Sequence, residues 1–80
     1  MYYTYILQSL SRFHQRYIGS TSDLKRRLRE HNAGHCPHTA KFAPWKIQFY
    51  CAFESLQSAQ DFERYLKSGS GFAFAKRHFH

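Results

Sequence analysis

Arg27 and His31 lie one helical turn apart in a stretch whose Leu24 and Leu28 mark an apolar stripe. Both flank that stripe. An arginine so placed is either a stem lying over apolar surface with its head in water or a guanidinium aimed at a phosphate, which its planar fork suits. Glu63 repeats the pattern farther on. It stands one turn after Ala59 and nearly one turn before Leu66, so it borders a buried face, where an unpaired carboxylate is costly. A salt bridge to Arg64 or Lys67 is one answer to that cost, and a bound cation is another. Tyr5 and Tyr17 sit on stretches that read as paired strands and can face one pocket. A free phenol titrates at pH ~10, so either is a base only where cations lower that value. Arg27 and a divalent ion would be such cations. Tyr2 and Tyr3 read as packing.

The scarcity of acids narrows the chemistry. Only Asp23, Glu30, Glu54, Asp61 and Glu63 stand against twelve Lys and Arg, for a formal net charge of +7. Asp61 and Glu30 fall on outer helical faces and read as solvated. Two-metal nucleases hold both ions with clustered carboxylates, and no such cluster is present. A scheme with one ion and one carboxylate remains, water and phosphate oxygen completing the shell. His35, Cys36 and His38, with His31 upstream, fit no closed zinc site well and read instead as a His-rich loop near nucleic acid. The basic residues are spread along the chain, which points to a folded face that contacts phosphates rather than to a basic tail.

Eighty residues make a single domain, residues 1–80. Eight Phe, six Tyr and one Trp supply large buried areas for so small a core. Two cysteines are too few for a disulfide framework, no secretion signal is evident, and no apolar run approaches a membrane span. A reducing cytoplasm is the expected setting.

The elements that must position these residues follow from pattern. Residues 2–7 and 15–19 read as strands around a polar turn at 9–14, a hairpin with a loop. Residues 20–23 offer N-cap side chains to a helix over 23–33, which Gly34 stops. Residues 35–44 read as a loop. Alternation over 46–54 predicts a half-buried strand, with Ile47, Phe49, Cys51 and Phe53 on one side and Lys46, Gln48 and Glu54 on the other. Ser55 or Ser58 caps a second helix reaching residue 67, with Ala59, Phe62 and Leu66 on its apolar stripe. Residues 68–71 break it, and 72–79 read as a short final helix. The order β-β-α-β-α-α predicts a small α+β domain, helices on an antiparallel sheet.

Several short stretches stand in a telling order: Tyr3-Thr4-Tyr5-Ile6-Leu7, Tyr17-Ile18-Gly19-Ser20-Thr21, Asp23-Leu24 with Arg27-Leu28 and Glu30-His31-Asn32, Pro44-Trp45, and Glu63-Arg64-Tyr65-Leu66-Lys67-Ser68-Gly69. The set resembles the GIY-YIG nuclease superfamily, named for two triplets that read here Tyr3-Thr4-Tyr5 and Tyr17-Ile18-Gly19. It is closest to small stand-alone bacterial members, which are similar to the N-terminal nuclease domain of the UvrC excision-repair subunit. The resemblance implies a three-stranded antiparallel sheet flanked by helices and metal-dependent hydrolysis of phosphodiester bonds. It implies Tyr17 as general base, Tyr5 as the residue orienting it or the water, and Arg27 on the scissile phosphate. His31 would assist the phosphate or leaving-group side, and Glu63 would hold one Mg²⁺ or Mn²⁺. Ser20 stands where repair-type members often carry a lysine. Residues 72–75 are Phe-Ala-Phe-Ala near the place where some members use a polar residue.

The function expected is therefore a DNA endonuclease, structure-selective, weakly sequence-specific or directed by a protein partner. The alternatives are an RNA-directed nuclease and a non-catalytic nucleic-acid-binding module of the same fold. A binder needs only the basic face, so retention of Tyr5, Tyr17, Arg27, His31 and Glu63 favours the enzyme. Tyr5, Tyr17, Arg27 and Glu63 are expected to converge on one concave surface, with Lys25, Arg26, Arg29, His35, His38 and Lys41 binding nucleic acid around it. Affinity for duplex DNA should fall steeply with salt. Replacing Lys25, Arg26 and Arg29 by alanine should shallow the log–log slope by about 0.9 for each phosphate no longer neutralised. A salt titration of binding checks this; salt-indifferent binding would count against it.

Overall fold

A computed structural model describes residues 1–71 and residue 77. Its elements are β1 (Tyr2–Ser9), β2 (Arg16–Thr21), α1 (Leu24–Asn32), α2 (Pro37–Ala40), β3 (Trp45–Phe53) and α3 (Leu56–Lys67). The strands form one antiparallel sheet in the order β2-β1-β3. The expected helix over 72–79 falls, apart from residue 77, outside the described residues. The break after α3 is shorter than expected, since residues 69–71 are helical again.

Helices cover both faces of the central strand. Thr4, Tyr5, Ile6 and Leu7 are all buried as a result, a continuous run rather than an alternation. Tyr5 and Leu7 point to the α1 face, where they pack with Trp45, Tyr17, Leu24, Leu28 and Ile47. Thr4 points to the other face, and its hydroxyl donates to the Ala59 carbonyl of α3 at 2.5 Å. Ala59 is fully buried; its small side chain lets α3 come close to the sheet. Phe62 of α3 meets Phe49 and Phe53 of β3. Asp23 caps α1 by accepting from the Arg26 amide, and Ser55 caps α3 by accepting from the Ser58 amide. Gly34 takes the left-handed conformation, φ 80°, just beyond α1.

Two sequence-based expectations change. Residues 35–44 are not all loop: α2 starts at Pro37, a position proline favours. The indole of Trp45 donates to the Thr39 carbonyl of α2, and Asn32 at the end of α1 bonds both the amide and the carbonyl of Trp45. These bonds tie α1, α2 and β3 together. Nor does β3 alternate evenly. Ile6 pairs with Phe49 but Leu7 pairs with Ile47, leaving Gln48 as a bulge. Ile47 therefore joins the α1-side core while Phe49 faces α3. Gln48 turns the same way as Phe49, and bonds Arg16 and Gln8. The bulge thereby splits the expected one-sided set, sending Ile47 to one core and Phe49 and Phe53 to the other.

The hairpin register fixes the most crowded point of the sheet. Tyr5 on β1 pairs with Gly19 on β2, and the Tyr5 ring lies across that glycine. A Cβ on Gly19 would stand 2.6 Å from the Tyr5 hydroxyl and 2.8 Å from the ring carbon that bears it. Gly19→Ala should therefore cost about 1–3 kcal/mol in urea unfolding, and should move the Tyr5 ring signals in NMR spectra.

Candidate active site

Tyr17 stands two residues before Gly19 on β2, so it shares the α1 face with Tyr5. Ring centroids lie 6.3 Å apart for Tyr5 and Tyr17 and 4.7 Å apart for Tyr17 and His31. His31 comes from the last turn of α1 and is fully buried, while Tyr17 keeps part of its surface in solvent. Arg27, one turn earlier, stands beside both phenols and pairs with Glu30 at 2.9 Å.

The bonding capacities of these groups give the network a direction. The Thr39 hydroxyl spends its proton on the Cys36 carbonyl, so it accepts from His31 Nδ1, which leaves Nε2 as the acceptor. The Tyr5 proton then goes to His31 Nε2, at 3.2 Å. The protonated Nδ1 donates to the Thr39 hydroxyl at 2.8 Å, and that hydroxyl donates to the Cys36 carbonyl at 3.2 Å. The chain needs a neutral imidazole. Burial, then the nearby Arg27 charge, lowers the His31 pKa below its ordinary value, in agreement.

Electrostatics define the setting of Tyr5. Burial pushes the Tyr5 hydroxyl up to about 12, and the Arg27 bond only partly opposes this. At Tyr5 desolvation outweighs the single guanidinium. Tyr5 is a neutral donor at ordinary pH. Two further expectations need correction. Glu30 is not simply solvated: half-buried, it bonds Arg27 and lies 3.7 Å from Arg26, and these partners lower its pKa. It holds the Arg27 guanidinium in place and keeps it more firmly protonated than usual. His31 has no open nitrogen, so its reach toward a phosphate passes through Tyr5.

Glu63 arrives from the other layer. α3 covers the Thr4 face of the sheet, so the expected set does not share one face. Instead the carboxylate stands beside edge strand β2, where Oε1 accepts from the Ser20 hydroxyl at 2.6 Å and Oε2 from Lys67 at 2.7 Å. Ser20 directly follows Gly19, and the Glu63 charge is felt at the Tyr5 phenol. Burial works to raise the Glu63 pKa, but Lys67 and Ser20 outweigh it and the net shift is downward. Of the two salt bridges open to Glu63, the one with Lys67 forms; Arg64 pairs with Asp61 instead.

Among the described residues no three His, Cys, Asp or Glu gather as a metal cage. A single ionised carboxylate at a rim fits a hard ion that keeps most of its water, such as Mg²⁺. Lys25, Arg26, Arg29, His35, His38 and Lys41 are all exposed, running from the outer face of α1 into α2. Lys41 also lies 5.3 Å from the Phe42 ring centroid. Glu30 and Thr39 escape sequence reasoning because each acts only through a neighbour.

The GIY-YIG catalytic domain model matches residues 1–76. The chain belongs to the GIY-YIG family. That family consists of nucleases acting on nucleic acid, and this chain keeps its α+β fold with a three-stranded antiparallel sheet. No curated protein matches the chain. Among the described residues no helix is long and apolar enough to cross a membrane.

His31 gives the GIY-YIG domain a measurable pH dependence. Its folded pKa lies below the unfolded value of 6.5, so under mild acid the unfolded chain binds a proton that the folded chain refuses. Stability should therefore fall as pH drops through 6.5. Glu30 and Glu63 lose their contributions only below 4.5, so the two windows separate. Thermal unfolding between about pH 7 and 5 should show the loss, and His31→Gln should flatten it.

Proposed function

We propose that this domain is a divalent-metal-dependent endonuclease that cleaves DNA, with structural features of the substrate or a protein partner directing it. The observation that carries the reading is the position of Arg27. Its guanidinium stands beside the phenols of Tyr5 and Tyr17, and its side chain stays about one-third exposed. A phosphate oxygen placed there would meet a donor fork steadied by Glu30 and open to solvent on one side.

Tyr17, partly open to solvent beside Arg27, acts as general base in its phenolate form, its own proton having first passed to solvent, and takes a proton from the attacking water. Tyr5 stays neutral. Its hydroxyl, locked between Arg27 and His31, fixes the site's geometry and orients Tyr17 or the water. Glu63, ionised at the β2 edge, holds one Mg²⁺ or Mn²⁺. That ion, when bound, supplies a Lewis acid for the charge that develops on phosphate oxygens. Lys25, Arg26 and Arg29 track the backbone on either side without entering the chemistry. Free Cys36 and Cys51 suit work in a reducing cytoplasm.

Incubation of the purified chain with branched, nicked and linear DNA, in Mg²⁺, Mn²⁺ or EDTA, tests this directly. Cleavage should require the ion. Tyr17→Phe should keep the fold and lower the rate by roughly 10²–10⁴. Glu63→Gln should abolish cleavage while leaving DNA binding intact or slightly tighter. Equal rates for Tyr17→Phe and wild type would remove Tyr17 from the chemistry. Cleavage of RNA alone would move the substrate, and no cleavage of either would leave a binding module.

A further inference from the structure

The carboxylate assigned to the cation already has an occupant. Lys67 Nζ donates to Glu63 Oε2 at 2.7 Å while Ser20 holds Oε1 at 2.6 Å. The two side chains differ in exposure, 53% for Lys67 and 22% for Glu63. The ammonium therefore covers the solvent side of an otherwise enclosed acid. A divalent ion reaching Oε2 meets a positive charge at hydrogen-bonding distance from that same oxygen. The two cations repel, and the singly charged one, on a long flexible stem, is the one that moves.

Other anions are committed. Asp61 serves Arg64 and Gln57, Glu30 serves Arg26 and Arg27, and Asp23 caps α1. Glu54 lies outside α3, at the other end of the helix from Lys67. Among the described residues no second carboxylate on α3 is open to a displaced Lys67. A phosphate oxygen arriving beside the ion is such an anion, and the reach of the lysine stem covers the change.

We propose that Lys67 is a positioning residue that exchanges partners. Without the ion it neutralises Glu63 and holds it in place; with the ion bound it transfers to a substrate phosphate. The exchange couples the two binding events. Lys67 opposes the cation when no nucleic acid is present and stops opposing it once a phosphate accepts the ammonium. By linkage the cation raises nucleic-acid affinity by the same factor. This proposal rests on Glu63 as the cation's ligand.

The test is a Mn²⁺ titration of the full chain, free Mn²⁺ being read by electron paramagnetic resonance, with and without a duplex DNA oligonucleotide. Every protein carries Tyr17→Phe so that the DNA stays whole. Lys67→Met should bind Mn²⁺ about three- to tenfold more tightly than the parent without DNA, and its gain on adding DNA should shrink by a similar factor. Lys67→Arg should restore the parental pattern. Thermal unfolding should match across the set, because the lysine is mostly exposed. Unchanged Mn²⁺ affinity and unchanged gain in Lys67→Met would overturn the exchange alone. Mn²⁺ binding that survives Glu63→Gln, or is missing from the parent, would overturn the Glu63 assignment and the exchange with it.

Discussion

Tyr5 is a large polar side chain in the middle of a small core, and the rest of the structure is arranged around the need to satisfy it. Its ring requires a neighbouring strand without a side chain, which Gly19 supplies. Its hydroxyl requires an acceptor, which His31 supplies, with the Arg27 charge nearby. His31 in turn requires a partner for its other nitrogen, and Thr39 on α2 meets that need. Trp45, bonded to the Thr39 carbonyl, fixes α2 against β3. A buried hydroxyl left unpaired costs about 1–3 kcal/mol, so the whole chain of bonds from β1 through α1 and α2 acts as one unit. Stability and site geometry are here the same set of contacts.

The scarcity of acids gives this surface its character. Asp23 caps a helix, Glu30 steadies Arg27, Asp61 pairs on the outside of α3, and Glu63 is bound by Ser20 and Lys67. Each of these carboxylates has a local task. Among the described residues no ion pair reaches the face of Lys25, Arg29 and Lys41 from the opposite side of the molecule. A backbone phosphate approaching that face meets little repulsion until it reaches the β2 edge, where Glu63 stands.

Much of this was legible in the sequence because local rules decide it. The hairpin, the caps at Asp23 and Ser55, the stop at Gly34 and the stripe of Leu24 and Leu28 each depend on a few adjacent residues. So does the pairing of Arg27 and His31 on one helix face. What escaped depends on contacts between distant segments. The bulge at Gln48 shows only in the pairing of β3 with β1, which no window within β3 reveals. The Glu30 carboxylate reads as solvated until the tilt of Arg27 is known. The layer from which Glu63 arrives is set by Thr4 bonding Ala59, across most of the chain.

A sheet of this order has two open edges, and an open edge invites a strand from another molecule. The edge at β2 carries the charged side chains of Glu63 and Lys67 beside Ser20. The edge at β3 carries the Gln48 bulge, next to the exposed Lys46. A bulge interrupts the regular ladder of amide and carbonyl groups that an incoming strand would need, and a lysine beside it resists a second copy of the same charge. The irregularity that lets one strand serve two cores thus also keeps a small aromatic-rich sheet from growing by addition at its edge.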